Sequence, residues 1–116
     1  MKLQLANRSI LQCLELAAER SELIETLVPH HRKLGKSKAL VQFAKENNYT
    51  IIVHSGIAAK YLAQEYGYKN IKSINSKGLE GIRECVIDEM ITKEDLEKLR
   101  GLGCTLVTGF MSVRTN

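Results

Sequence analysis

Ten consecutive residues concentrate the reactive side chains of this chain: Pro29-His30-His31-Arg32-Lys33-Leu34-Gly35-Lys36-Ser37-Lys38. A short apolar run (Leu23, Ile24, Leu27, Val28) precedes them and a segment with helical spacing follows, so the layout is strand, basic loop, helix. A helix that starts at Gly35-Lys36-Ser37 turns its first backbone N–H groups and the positive end of its dipole outward, where an anion is held. Lys36 adds a point charge suited to phosphate, and Ser37 adds a hydroxyl suited to magnesium. The expected ligand is a nucleoside triphosphate, ATP or a relative, with Mg as its cofactor. The expected nucleotide-binding residues are Arg32, Lys33, Leu34, Gly35, Lys36, Ser37 and Lys38.

A second stretch, Glu84-Cys85-Val86-Ile87-Asp88-Glu89, is apolar until it ends in two adjacent carboxylates. Other arrangements are less suited to chemistry. His30, His31 and His54 do not make a zinc site, because adjacent histidines point in different directions and no Cys or carboxylate completes the set. Cys13, Cys85 and Cys104 are odd in number, far apart and set in apolar segments, which predicts buried free thiols rather than disulfides.

The elements that must position these residues alternate. Apolar residues Ile10, Leu11, Leu14, Ala17 and Ala18 predict an amphipathic helix from Ser9 to about Arg20, opened by a Ser9/Gln12 capping box. A strand within Ser21 to Val28 stops at Pro29. The next helix, Lys36 to Glu46, turns Ala39, Leu40, Phe43 and Ala44 inward and ends at Asn47-Asn48. Tyr49 to Val53 is a continuous apolar, β-branched run, the pattern of a strand covered on both faces. Ser55 caps a helix expected to bury Ile57, Ala58, Tyr61 and Leu62 and to end at Gly67. A strand at Asn70 to Ile74, a loop or helical turn from Asn75 to Gly81, the strand ending in Asp88-Glu89, a helix capped by Thr92, and a strand at Cys104 to Val107 complete the series. Strands alternating with helices predict a three-layer α/β/α fold with a mostly parallel sheet of about five strands. In such a sheet ligands bind beyond the carboxyl ends of the strands, where the basic loop and Asp88-Glu89 both fall.

Together these two stretches resemble the Walker A and Walker B motifs of P-loop NTPases. The form Arg32-Lys33-Leu34-Gly35-Lys36-Ser37 is similar to the variant loop of phage terminase and helicase-like ATPases and of small phage P-loop proteins; the full motif has a glycine where this chain has His30. Two strands, at Tyr49 and Ile71, separate the loop from the carboxylates, as in the P-loop class that inserts a strand between them. The resemblance covers roughly Leu23 to Val107 and implies a reduced P-loop core that binds ATP and hydrolyses it with Mg, in phage or bacterial DNA metabolism. It implies that Ser37 and Asp88 hold the metal and that Glu89 is the catalytic residue activating water. Thr108 and Gly109 resemble the polar sensor position near the γ-phosphate, with a simple turn as the other reading. Hydrolysis would also need a cationic finger, and Arg83, Arg100 or Arg114 could supply it across an interface in a homo-oligomer or larger complex.

Composition bounds the rest. With 116 residues, 44% hydrophobic and 26% charged, the chain is expected to be one globular domain: an N-terminal helix (1–22), a core (23–108) and a tail (109–116), the residues from Thr108 on being polar enough for a short tail or a last edge element. No apolar run approaches the roughly 20 residues that span a bilayer, and Met1 to Asn7 lacks the apolar core of a signal peptide, so the expected location is cytoplasmic. The net charge is +4, with Arg32, Lys33, Lys36 and Lys38 at the loop and Lys69, Lys72 and Lys77 further on. That charge suits DNA or RNA and suits a solvated surface equally well. The alternative to an ATPase is therefore a non-catalytic P-loop domain that binds nucleic acid or another protein, and a third reading makes the loop accidental.

Overall fold

A computed structural model describes residues 9–27 and 35–113, and of residues 26, 27, 112 and 113 only the backbone. Among the described residues four helices and five strands follow in order: α1 (Ile10–Glu19), β1 (Ile24–Leu27), α2 (Lys36–Asn47), β2 (Thr50–Val53), α3 (Gly56–Tyr66), β3 (Ile71–Ser73), β4 (Glu84–Ile87), α4 (Lys93–Gly101) and β5 (Thr105–Val113). The expected capping signals are used. Ser9 and Gln12 bond reciprocally at the start of α1, Thr92 and Asp95 do the same at α4, and Asn48 and Gly67 end α2 and α3 in the left-handed conformation. The stretch before β4 contains one 3₁₀ turn, Leu79–Gly81.

All strand pairs are parallel, and the sheet order is β1-β5-β4-β2-β3. The period of two along each strand sends alternate side chains to two separate apolar cores. Ile24, Ile51, Val53, Val86 and Phe110 pack with Cys13, Leu14 and Ala17 of α1, Leu40 and Phe43 of α2 and Leu62 of α3. Ile52, Cys85 and Ile87 pack on the other face with Leu79 and with Leu96 and Leu99 of α4. This is the three-layer α/β/α arrangement. Three helices cover one face and α4 covers the other. β2 is buried at every position, as its unbroken apolar run predicts. All three cysteines are buried and none is in a disulfide.

Two local expectations change. Ile57 and Tyr61 are exposed, at 85% and 63%, and α3 instead packs through Leu62 with Ala58, Ala59, Ala63 and Tyr66. The apolar stripe on α3 is broad enough to fit either face, and the smaller alanine side lets the helix approach the sheet. The last strand also continues past Val107 to Val113, through residues read as tail, because its second half has its own neighbour. Glu84 to Ile87 of β4 pair with Thr105 to Gly109, whereas Phe110 to Val113 pair with Ile24 to Leu27 of β1. Val107 is an extra residue between those pairing with Cys85 and Val86, a β-bulge that increases local twist.

Candidate functional site

β2 with α3 and β3, and β4 with α4 and β5, are compact βαβ units, but the crossover from β1 through α2 reaches past β5 and β4 to β2. It crosses the face opposite to α4. The helices that follow β1 and β4, α2 and α4, therefore lie on opposite faces of the sheet, the arrangement in which α/β domains bind ligands at the carboxyl edge. Lys36 stands at the start of α2, and Asp88 and Glu89 directly follow the end of β4, at this edge.

Gly35 is the N-cap of α2 at φ 77°, ψ 26°, in the left-handed region. A Cβ there would meet nothing within 4 Å, so the backbone angle alone favours glycine. Lys36, Ser37 and Lys38 form the first turn of α2, with Lys36 and Ser37 half-buried and Lys38 exposed. The Lys36 Nζ lies 3.0 Å from the Glu89 Oε2, and both side chains are largely covered, at 12% and 21% exposure. These residues stand 53 positions apart in the sequence: Lys36 opens α2, the helix that follows β1 in the chain, and Glu89 follows β4. The strands at Tyr49 and Ile71, which lie between them in the chain, stand on the far side of β4 in space.

Asp88 continues the β4 ladder by one bond, its amide donating to the Ile52 carbonyl at 3.1 Å. Its carboxylate Oδ1 accepts the Glu89 amide at 2.8 Å. Burial pushes the Asp88 carboxyl above its ordinary range, opposed by that backbone N–H, and the Glu89 charge raises it further while His54 and Lys36 pull it down. Among the described residues the site thus holds two adjacent acids, one of them poorly solvated, with one ammonium beside them.

Arg32, Lys33 and Leu34, and with them His30 and His31, lie outside the described residues. Thr108 is described and does not reach the edge. It is fully buried inside β5, neither at a turn nor at a strand end, and its hydroxyl donates to the Glu22 carbonyl at 2.7 Å, at the approach to β1. Arg83 precedes β4 and Arg100 lies in the last turn of α4, so both sit at the amino edge of the sheet, away from Glu89; Arg114 is outside the described residues. A cleft of about 410 Å³ also opens at that amino edge, but Glu15, Glu19 and Glu46 line it, carboxylates where a phosphate needs cations.

His54 joins the site from β2. The sequence offers a signal for it: His54 directly follows Thr50-Ile51-Ile52-Val53, as Asp88 directly follows its own strand, and in a parallel sheet both positions land on the carboxyl edge.

Among the described residues no group of three His, Cys, Asp or Glu side chains could enclose a metal ion, and no helix is long and apolar enough to cross a membrane. Fold and site together define a parallel α/β/α domain with a mixed-charge cluster at the carboxyl edge of its sheet. Compared with protein-family models, curated proteins and solved structures, the chain matches none.

Proposed function

We propose that this protein binds a magnesium nucleoside triphosphate, ATP as the reference ligand, at the carboxyl edge of the sheet, between the start of α2 and the end of β4. The observation that carries the reading is the meeting of Lys36 with Glu89, beside Asp88. A triphosphate lying against the first turn of α2 meets backbone N–H groups, the helix dipole and the Lys36 ammonium together. Left-handed Gly35 gives the turn that exposes those groups. The order loop strand, intervening strand, Asp-Glu strand also agrees with the P-loop class that the sequence resembles.

Magnesium fits this donor set. It keeps several waters and takes one or two protein oxygens plus phosphate oxygens, so it does not need an all-protein cage. Asp88 and Ser37 are the protein donors, with the metal supplying charge neutralisation to the phosphates. A carboxyl held above its ordinary pKa by burial is a costly group to maintain, and a cation beside it removes that cost. Lys36 would exchange its contact with Glu89 for phosphate, leaving the Glu89 carboxylate to orient water. Hydrolysis is the lesser part of the proposal, because Arg83 and Arg100 stand at the opposite edge and any arginine finger must come from another chain or another segment. Binding tests the proposal. Titration calorimetry should give saturable Mg-ATP binding that disappears in Lys36→Ala, and folded wild-type protein showing no heat at millimolar nucleotide would refute it.

A further inference from the structure

Three helices cover one face of the sheet and α4 covers the other, and on the α4 face the cover ends before the edge strand β3. Lys72 of β3 pairs with Ile52 and so shares its face, yet Ile52 is buried and Lys72 is exposed. At the amino edge, away from Lys36 and Glu89, a cleft of about 490 Å³ opens around the starts of β2, β3 and β4. At its centre the Thr50 hydroxyl donates to the Asn70 Oδ1 at 2.9 Å, which ties the start of β2 to the residue before β3. Asn47 and Tyr49, from the turn between α2 and β2, line one part of the cleft, and Ile82, Arg83 and Glu84 line another.

The hydrogen bonds already made decide what these groups can offer a ligand. The Asn70 Oδ1 is engaged by Thr50, so its Nδ2 is the side that donates. The Asn47 Nδ2 donates to the Phe43 carbonyl at 2.9 Å, so its Oδ1 is the side that accepts, and Glu84 adds a second acceptor. Lys72 and Arg83 are exposed and form no ion pair among the described residues. Two unpaired cations and an amide donor therefore meet two acceptors around one concave surface.

We propose that this cleft is a second ligand site, which takes the phosphate monoester of a small polyhydroxylated molecule, a pentose or hexose phosphate. A phosphate monoester carries nearly two negative charges at neutral pH and matches both Lys72 and Arg83, whereas a carboxylate needs one cation. Asn47 and Glu84 accept hydroxyl protons, while Tyr49 and Ile82 give apolar area to the carbon skeleton. The volume falls within the range of small-molecule sites, about 300–1,000 Å³. A nucleic-acid strand fits less well. The neighbouring cleft shares Asn47 and Tyr49 and carries Glu15, Glu19 and Glu46, so a polyanion continuing along this edge meets three carboxylates. The site stands independently of the ATP reading, at the opposite edge of the sheet.

Calorimetric titration of the full chain with ribose 5-phosphate and glucose 6-phosphate tests this, with ribose and inorganic phosphate as comparisons. At least one ester should bind saturably and more tightly than either comparison. Lys72→Ala and Arg83→Ala should each weaken it about ten- to a hundredfold, the loss of a hydrogen bond to a charged oxygen. Both side chains are exposed, so melting temperatures should stay at the wild-type value. Lys36→Ala, at the other edge, should leave ester affinity unchanged even where it abolishes ATP binding. No ester binding at millimolar concentration, inorganic phosphate binding as tightly as the esters, or a loss in only one or neither of the two amino-edge variants would overturn the proposal. So would a single-stranded oligonucleotide that binds more tightly than the esters and is lost in the same two variants.

Discussion

Gly109 is the point at which the sheet fixes the position of the two carboxylates, and Gly109→Ala should be the most damaging single-methyl substitution near the site. Gly109 pairs with Ile87, the residue directly before Asp88. A Cβ built on Gly109 would stand 2.4 Å from the Ile87 carbonyl oxygen, 2.6 Å from its Cγ1 and 2.7 Å from its amide nitrogen. Two of those three atoms are backbone, so no side-chain rotation relieves the overlap and the strands must separate. The extended backbone at φ +154° adds a second penalty, since L side chains rarely adopt it. A sparsely populated backbone conformation costs about 1–3 kcal/mol and overpacking a further 1–3 kcal/mol, giving roughly 2–6 kcal/mol in all. Against a total stability of about 5–15 kcal/mol this is a large share. With a urea slope near 2 kcal/mol per molar, the unfolding midpoint should fall by about 1–3 M. Gly35→Ala is the internal control. It is strained at φ +77° but meets nothing within 4 Å, so it carries only the backbone penalty, about 1–2 kcal/mol. A Gly109→Ala midpoint no lower than that of Gly35→Ala would refute the close-approach argument.

The remaining predictions concern the carboxyl-edge site and its surroundings. Asp88→Asn should raise the melting temperature of the ligand-free protein at neutral pH while removing magnesium-dependent nucleotide binding. Because burial raises the Asp88 pKa in the folded state, its stability contribution is complete below the ordinary value of 3.8 and is lost as pH rises through the raised value, so the gap between variant and wild type should widen from acid to neutral pH in a calorimetric series. A thermodynamic cycle with Lys36→Met and Glu89→Gln should return a favourable coupling of roughly 0.5–3 kcal/mol from denaturant melts, and additive effects would show that their 3.0 Å contact contributes nothing. Thr108→Val should cost about 1 kcal/mol through the lost bond to the Glu22 carbonyl and leave nucleotide binding as it was; a changed ATP affinity at intact stability would restore a sensing role to Thr108. If binding to generic duplex DNA proves salt-dependent and indifferent to both ATP and Glu89→Gln, the basic loop serves nucleic acid instead.

The amino-acid sequence by itself determined what depends on neighbours a few residues away. The Ser9/Gln12 and Thr92/Asp95 boxes, the left-handed stops at Asn48 and Gly67 and the buried strand Thr50–Val53 all form where their local patterns place them, because caps and periodicity act within a turn or a strand. The same locality made Gly35-Lys36-Ser37 and Asp88-Glu89 visible as two separate chemical stretches. Tertiary structure decided the rest. Which strand stands between β1 and β4, and that it is β5 rather than the strands that intervene in the chain, is a matter of crossover path, which no local pattern encodes. The length of β5 depended on β1 being there to pair with Phe110 to Val113, and the buried side of α3 depended on which of two apolar stripes met the sheet closer. His54 shows the division most clearly. Its position after an apolar strand is written in the sequence, but its place in the site exists only because β2 was laid against β4, with the two strand ends at one level.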